Sequence, residues 1–153
     1  MRSGLVMLLT VAVACSNPVS SASDIRVETS LSAPYVRLEE PVTVTVVVTN
    51  RGDRTREVMD GSGFCPAPFT ATATDGTVVR PSVLCTAIAR PPEKLAPGKS
   101  LSFTAVWSGR HTLWTSTPEP NELPTGSYQV RGTVAVIGVG EVVSPPVELL
   151  ILP

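Results

Sequence analysis

The residues able to do chemistry in this 153-residue chain are few and far apart. His111 is the only imidazole, so any Ser-His or Cys-His scheme has to use it. It stands beside Arg110 in a polar connection with no nucleophile motif nearby, and a solvent-exposed side chain is the expectation. Glu39-Glu40 and the pair Glu119 and Glu122 have the composition of an acid and a base. Both pairs lie in Pro-bounded loop sequence without an apolar pocket to raise a pKa, so surface solvation is expected of them. The cysteines, Cys15, Cys65 and Cys85, form no Cys-x-x-Cys redox motif and are too few for a metal site with one histidine. No Gly-rich phosphate loop and no alternating Asp/Asn calcium loop is present. The expectation is a non-catalytic protein with no cofactor and no metal.

The N-terminus sets the compartment. Met1-Arg2 is followed by an apolar run over residues 5–14 and then Cys15, the pattern of a secretory signal over residues 1–14. The run is too short to span a bilayer as a stable helix. Ala12-Val13-Ala14-Cys15 resembles the lipobox of bacterial lipoproteins. That resemblance implies that Cys15 carries lipid and becomes the mature N-terminus, with residues 15–24 as lipid anchor and flexible tether. Ser16, rather than Asp, after the Cys resembles outer-membrane sorting in a cell with two membranes. Ordinary cleavage after Ala14 or Ala22, giving a secreted protein, is the alternative. With Cys15 lipidated, Cys65 and Cys85 remain as an even pair in an oxidising compartment, and a disulfide is the favoured reading.

Processing at Cys15 leaves 139 residues with 11 basic and 13 acidic side chains. No basic field points to nucleic acid, and no cationic amphipathic helix points to a membrane surface, so membrane contact is expected through the lipid alone. Fifteen Pro and eleven Gly punctuate Val/Thr-rich runs, which reads as many turns between short strands. Alternation predicts strands over 25–31, 35–38, 42–50, 54–59, 69–74, 77–80, 83–89, 101–107, 128–136 and 142–152. Asp75-Gly76 predicts a two-residue hairpin turn, and Pro97-Gly98 a type II turn. On the strand at 101–107, Leu101, Phe103, Ala105 and Trp107 share one face; on the later one, Tyr128, Val130, Gly132, Val134 and Val136 do. Tyr128 starts its strand just after Pro124-Thr125-Gly126, so its hydroxyl can return to backbone as in a tyrosine corner, or the residue is simply a core aromatic. The predicted fold is all-β, an immunoglobulin-like antiparallel β-sandwich over residues 25–153.

Several of these pieces, in order, resemble the BsuPI family of intracellular proteinase inhibitors. They are Val46-Val47-Val48-Thr49-Asn50-Arg51-Gly52-Asp53, Leu95-Ala96-Pro97-Gly98-Lys99-Ser100, Trp107, and Leu123-Pro124-Thr125-Gly126-Ser127-Tyr128-Gln129-Val130. The match spans roughly residues 36–137. The resemblance implies an immunoglobulin-like domain that binds protein. Export, the pair Cys65 and Cys85, and a longer connection over 108–124 depart from the family pattern.

Two loops are candidate binding elements. In Phe64-Cys65-Pro66-Ala67-Pro68-Phe69, Pro66, Ala67 and Pro68 would be held stiff by proline and disulfide, which lowers the entropic cost of binding. The second offers Arg110, Leu113 and Trp114, a basic and an aromatic anchor. The expected function is an envelope-anchored, non-catalytic protein-interaction domain whose partner is an envelope protein or a protease. A true proteinase inhibitor acting through a rigid loop is the alternative.

Overall fold

The computed structural model describes residues 24–38, 40–59, 67–79, 91–107 and 125–153. Within them run β1 (Ile25–Leu31), β2 (Tyr35–Arg37), β3 (Val42–Asn50), β4 (Arg56–Met59), β5 (Phe69–Ala73), β6 (Val78–Val79), β7 (Glu93–Leu95), β8 (Ser100–Trp107), β9 (Gly126–Val136), β10 (Gly140–Val143) and β11 (Val147–Leu152). The chain is an all-β, immunoglobulin-like sandwich. One sheet has the order β1-β3-β8. The other is built around β9, which pairs with β11 and β10 along one edge and with β5 and β4 along the other. β2, β6 and β7 extend that sheet outwards.

Among the described residues every pairing is antiparallel except one: β2 runs parallel to β11, with Leu150 opposite Tyr35. The tie comes from Leu150 N, which donates to Pro34 O, and Leu38 N, which donates to Leu152 O.

Period-2 alternation decides which side chains enter the core. β3 buries Val42, Val44, Val46, Val48 and Asn50 and turns Thr43, Thr45, Val47 and Thr49 outward. β9 answers from the opposite sheet with Tyr128, Val130, Gly132, Val134 and Val136, all buried. Phe103 and Trp107 are buried on β8, with Leu101 and Ala105 half-buried on the same face. Each fully buried Val, Leu or Phe contributes about 1.5–3 kcal/mol relative to exposure, so this two-faced pattern is the main source of stability.

The turns follow from their residues. Lys99 N donates to Ala96 O at 3.1 Å, closing a turn with Pro97 and Gly98 at its centre. Gly98 has φ +68°, the left-handed value that the third position of a type II turn demands. At the β5–β6 hairpin, Gly76 N donates to Ala73 O and Ala73 N to Thr77 O. The loop is therefore Thr74-Asp75-Gly76, three residues rather than the expected two, with Gly76 in its last position. The long strand expected over 142–152 is two strands. Pro145 and Pro146 have no N–H to give to a ladder, and Ser144 N donates instead to Gly132 O. Strand 83–89 lies outside the described residues.

Candidate functional site

Among the described residues, buried polar chemistry is concentrated at two nodes. The first is Asn50, fully buried where β3 ends. Its amide nitrogen Nδ2 donates to Arg54 O at 2.7 Å and to Leu95 O at 2.9 Å. Its Oδ1 accepts from Gly52 N at 3.0 Å. Its own N–H donates to Lys99 O, and its carbonyl accepts from Gly98 N. Every donor and acceptor of this residue is used, so one side chain fastens the β3–β4 turn to the turn between β7 and β8. Beside it, Arg51 N donates to Asp24 O, and Arg56 Nη2 reaches Asp24 Oδ2 at 3.1 Å. Arg56 Nε is buried and unpartnered among the described residues.

The second node crosses the core. Thr29 on β1 and Ser144 after β10 both approach Gly132 N, at 2.8 and 2.9 Å. Their hydroxyl oxygens are 2.7 Å apart, and Ser144 Oγ donates to Pro145 O at 2.8 Å. Ser144 has one proton, so Thr29 is the donor in the hydroxyl pair and the inventory closes. A Cβ at Gly132 would come within 2.4 Å of Thr29 Oγ1 and 2.8 Å of Val46 Cγ1, so only glycine fits. Both hydroxyls are engaged in tying β1 and the segment after β10 to β9.

Three aromatic rings occupy the other end of the core. Trp107 meets Phe69 at 5.7 Å and Tyr128 at 6.3 Å, both edge-on. Burial pushes the Tyr128 phenol above its ordinary value, and the negative charge of Asp75 adds to the shift. Asp75 itself is held below the usual carboxylate range, chiefly because its Oδ1 accepts from Thr77 N at 2.8 Å.

Of the residues singled out in the sequence, Ala67 is half-buried and Pro68 is buried, with Pro68 O accepting from Thr133 N at 2.7 Å. Cys15, Cys65, Pro66, Cys85, Arg110, His111, Leu113, Trp114, Glu39, Glu119 and Glu122 lie outside the described residues. Glu40 is exposed, and its Oε2 accepts from Arg37 N at 2.9 Å. Among the described residues, no three His, Cys, Asp or Glu side chains gather to hold a metal, and no helix is long and apolar enough to cross a membrane. An open groove of about 540 Å³ is lined by Thr55, Arg56, Glu57, Lys94 and Ile137.

The outer surface carries what the core does not use. Tyr35 and Leu150, opposite one another on β2 and β11, are 62% and 43% exposed. Sequence reasoning missed this pairing because it depends on a parallel ladder between segments more than a hundred residues apart. It missed the Asn50 clamp too, although one signal was present: Asn50 continues the inward series Val42, Val44, Val46, Val48.

No protein-family model matches the chain, and no curated protein matches it. Among solved structures, it is similar to the CARDB domain of a Pyrococcus furiosus protein in complex with di-metal ions, at 14% identity and a TM-score of 0.47. That match covers 84% of this chain and 88% of the other. The cupredoxin domain of amoB from Nitrosocaldus yellowstonii is similar at 8% identity and a TM-score of 0.49, over 87% of this chain and 90% of that one. The alkylpurine DNA glycosylase AlkC of Pseudomonas fluorescens is similar at 10% identity and a TM-score of 0.49, over 88% of this chain and 32% of the other.

Proposed function

We propose that this protein is an envelope-anchored, non-catalytic interaction domain, tethered to a bacterial membrane by lipid on Cys15. The observation that carries the reading is the exposed pair Tyr35 and Leu150 at the β2 edge of the larger sheet. An aromatic on a short edge strand beside an aliphatic residue on the next strand is a ready contact surface for another protein. The Asn50 side chain and the hydroxyl pair on Gly132 support the same reading, since their donors and acceptors are engaged in holding the scaffold. Residues shared with the BsuPI resemblance, among them Asn50, Gly52, Pro97, Gly98, Trp107 and Tyr128, occupy such scaffold positions, which favours a likeness of framework. In this reading Cys65 and Cys85 are joined, and closing a loop of that size stabilises by about 3 kcal/mol.

The test is recovery of a partner from detergent-solubilised membranes. Tyr35→Glu with Leu150→Glu is expected to lose the partner while melting like wild type, because both side chains face solvent. Cys15→Ala is expected to move the protein from the detergent phase to the aqueous phase, and a wild type already in water would remove the anchor. Peptide mapping without reduction reads the disulfide, and two free thiols would exclude it. Stoichiometric inhibition of a subtilisin-like or trypsin-like enzyme, weakened by changes at Pro66 to Pro68 or Arg110 to Trp114, would establish the inhibitor reading instead.

A further inference from the structure

Among the described residues the smaller sheet has two outer edges, β1 and β8. The β1 edge is long and regular: its ladder with β3 runs without a bulge from Ile25 opposite Asn50 to Leu31 opposite Val44. The direction of its backbone groups is fixed at both ends. Arg51 N donates to Asp24 O at 2.7 Å, and Ser32 N donates to Thr43 O at 2.9 Å. Backbone groups alternate sides along an antiparallel ladder, so Arg26, Glu28 and Ser30 also turn theirs to β3. The N–H and C=O groups of Ile25, Val27, Thr29 and Leu31 point away from it, and no described strand takes them. Side chains alternate with the same period. Ile25 and Val27 are buried in the core, whereas Arg26, Glu28 and Ser30 are exposed on the outer face. Arg26 and Glu28 form an ion pair within the strand, each about half exposed. β1 contains no proline, a common means of blunting an edge.

We propose that β1 is a homodimerisation edge, pairing antiparallel with β1 of a second copy to join two three-stranded sheets into one. The charges of the edge select this occupant and its register. A two-fold axis at Val27 sets Arg26 opposite Glu28 of the second copy, and Glu28 opposite its Arg26, all on the exposed face. Val27 then meets its own counterpart, and Ile25 meets Thr29 of the second copy. These are the residues whose backbone groups point outward, so the new ladder closes at those pairs. Asp24 falls opposite Ser30 and meets no like charge. Sliding the strands by two residues moves the axis to Arg26 or Glu28 and sets that residue against itself. Sliding by four either shortens the ladder to residues 24–26 or leaves Arg26 against Ser32. β8, at the other edge, carries no charged side chain and selects no register. The dimer edge is separate from the Tyr35 and Leu150 surface, which belongs to the larger sheet.

The experiment uses full-length protein in detergent solution. By sedimentation equilibrium the wild type is expected to dimerise. Arg26→Glu and Glu28→Arg each set like charges opposite one another twice, and each is expected to weaken the dimer by about tenfold or more. Mixing the two variants in equal amounts is expected to restore association, because every facing position again meets its opposite charge. A loss of fold would not be rescued by mixing. The register is read by mild oxidation of Arg26→Cys mixed with Glu28→Cys. Positions 26 and 28 face one another as a non-hydrogen-bonded pair with Cα atoms about 4.5 Å apart, within disulfide reach. Two copies of either position are two residues out of step and about 8 Å apart, beyond it. Peptide mapping is therefore expected to find a 26–28 link in the mixture and no 26–26 or 28–28 link in either variant alone. A wild type that stays monomeric up to about 1 mM would overturn the proposal. So would a dimer indifferent to both charge reversals, one that mixing fails to restore, or a cysteine mixture that does not link.

Discussion

Trp107 and Tyr128 belong to different sheets, yet their rings meet edge-on, with centroids 6.3 Å apart and planes at 87°. Phe69 closes the group from β5, at 5.7 Å from the indole. The contact joins the last residue of β8 to the start of β9, so it seals the end of the core opposite Asn50. Trp107 is 1% exposed, and truncating it leaves a cavity bounded by two rings. Trp107→Ala is expected to destabilise the domain by about 3–5 kcal/mol in urea denaturation. A variant that melts like wild type would mean that the indole is not part of the core.

Asn50→Ala removes three side-chain hydrogen bonds at once and strands Arg54 O, Leu95 O and Gly52 N. The expected loss is about 2–4 kcal/mol, read by chemical denaturation, because buried groups left unsatisfied carry their desolvation cost. Asn50→Asp is expected to be at least as damaging, since a carboxylate would face two carbonyl oxygens. Equal stability of the aspartate variant would show that the amide donors are dispensable.

Gly132→Ala drives a methyl group into Thr29 Oγ1 and Val46. Overpacking of this kind costs about 1–3 kcal/mol, and loss of the node that the Gly132 N–H supports adds to it. Thr29→Ala in the same chain relieves the nearest clash, so thermal melts of the double variant are expected to show less than the sum of the two single effects. Strict additivity would mean that the two residues do not meet.

Tyr128 gives a pH signature. Its phenol is raised above the ordinary 10.0 by burial first and by Asp75 second, so the folded state holds its proton more tightly than the unfolded chain. Stability is therefore unaffected by this group below pH 10.0 and declines as pH rises through the window between the unfolded and folded values. In a Tyr35→Phe background the phenolate absorbance comes from Tyr128 alone, and its midpoint is expected above 10.0. Asp75→Asn removes a neighbouring negative charge and is expected to bring that midpoint down; an unchanged midpoint would exclude the coupling.

The elements with long alternation were legible in the sequence: β1 and β3 start and end where the pattern does, and the inward faces of β8 and β9 were assigned correctly. The Pro97-Gly98 turn was legible because two residues fix its geometry. β7 was not, because Glu93-Lys94-Leu95 has a single inward residue between prolines and exists only through its ladder with β4. The break between β10 and β11 was carried by Pro145 and Pro146, but the apolar run around them outweighed that signal. The Asn50 clamp and the hydroxyl pair on Gly132 were beyond local pattern, since their partners lie 45 and 103 positions away.

Asp24 enters at the Asn50 end and β11 leaves at the end where Leu150 pairs with Ser127. Tension applied between Asp24 and Pro153 therefore runs along the strands. β1 would have to slide past β3, and β11 past β9, with each ladder's hydrogen bonds strained in parallel rather than peeled one at a time. A domain threaded this way bears pull along its long axis as a tie rod does, and would give way far more readily to a force applied across its sheets.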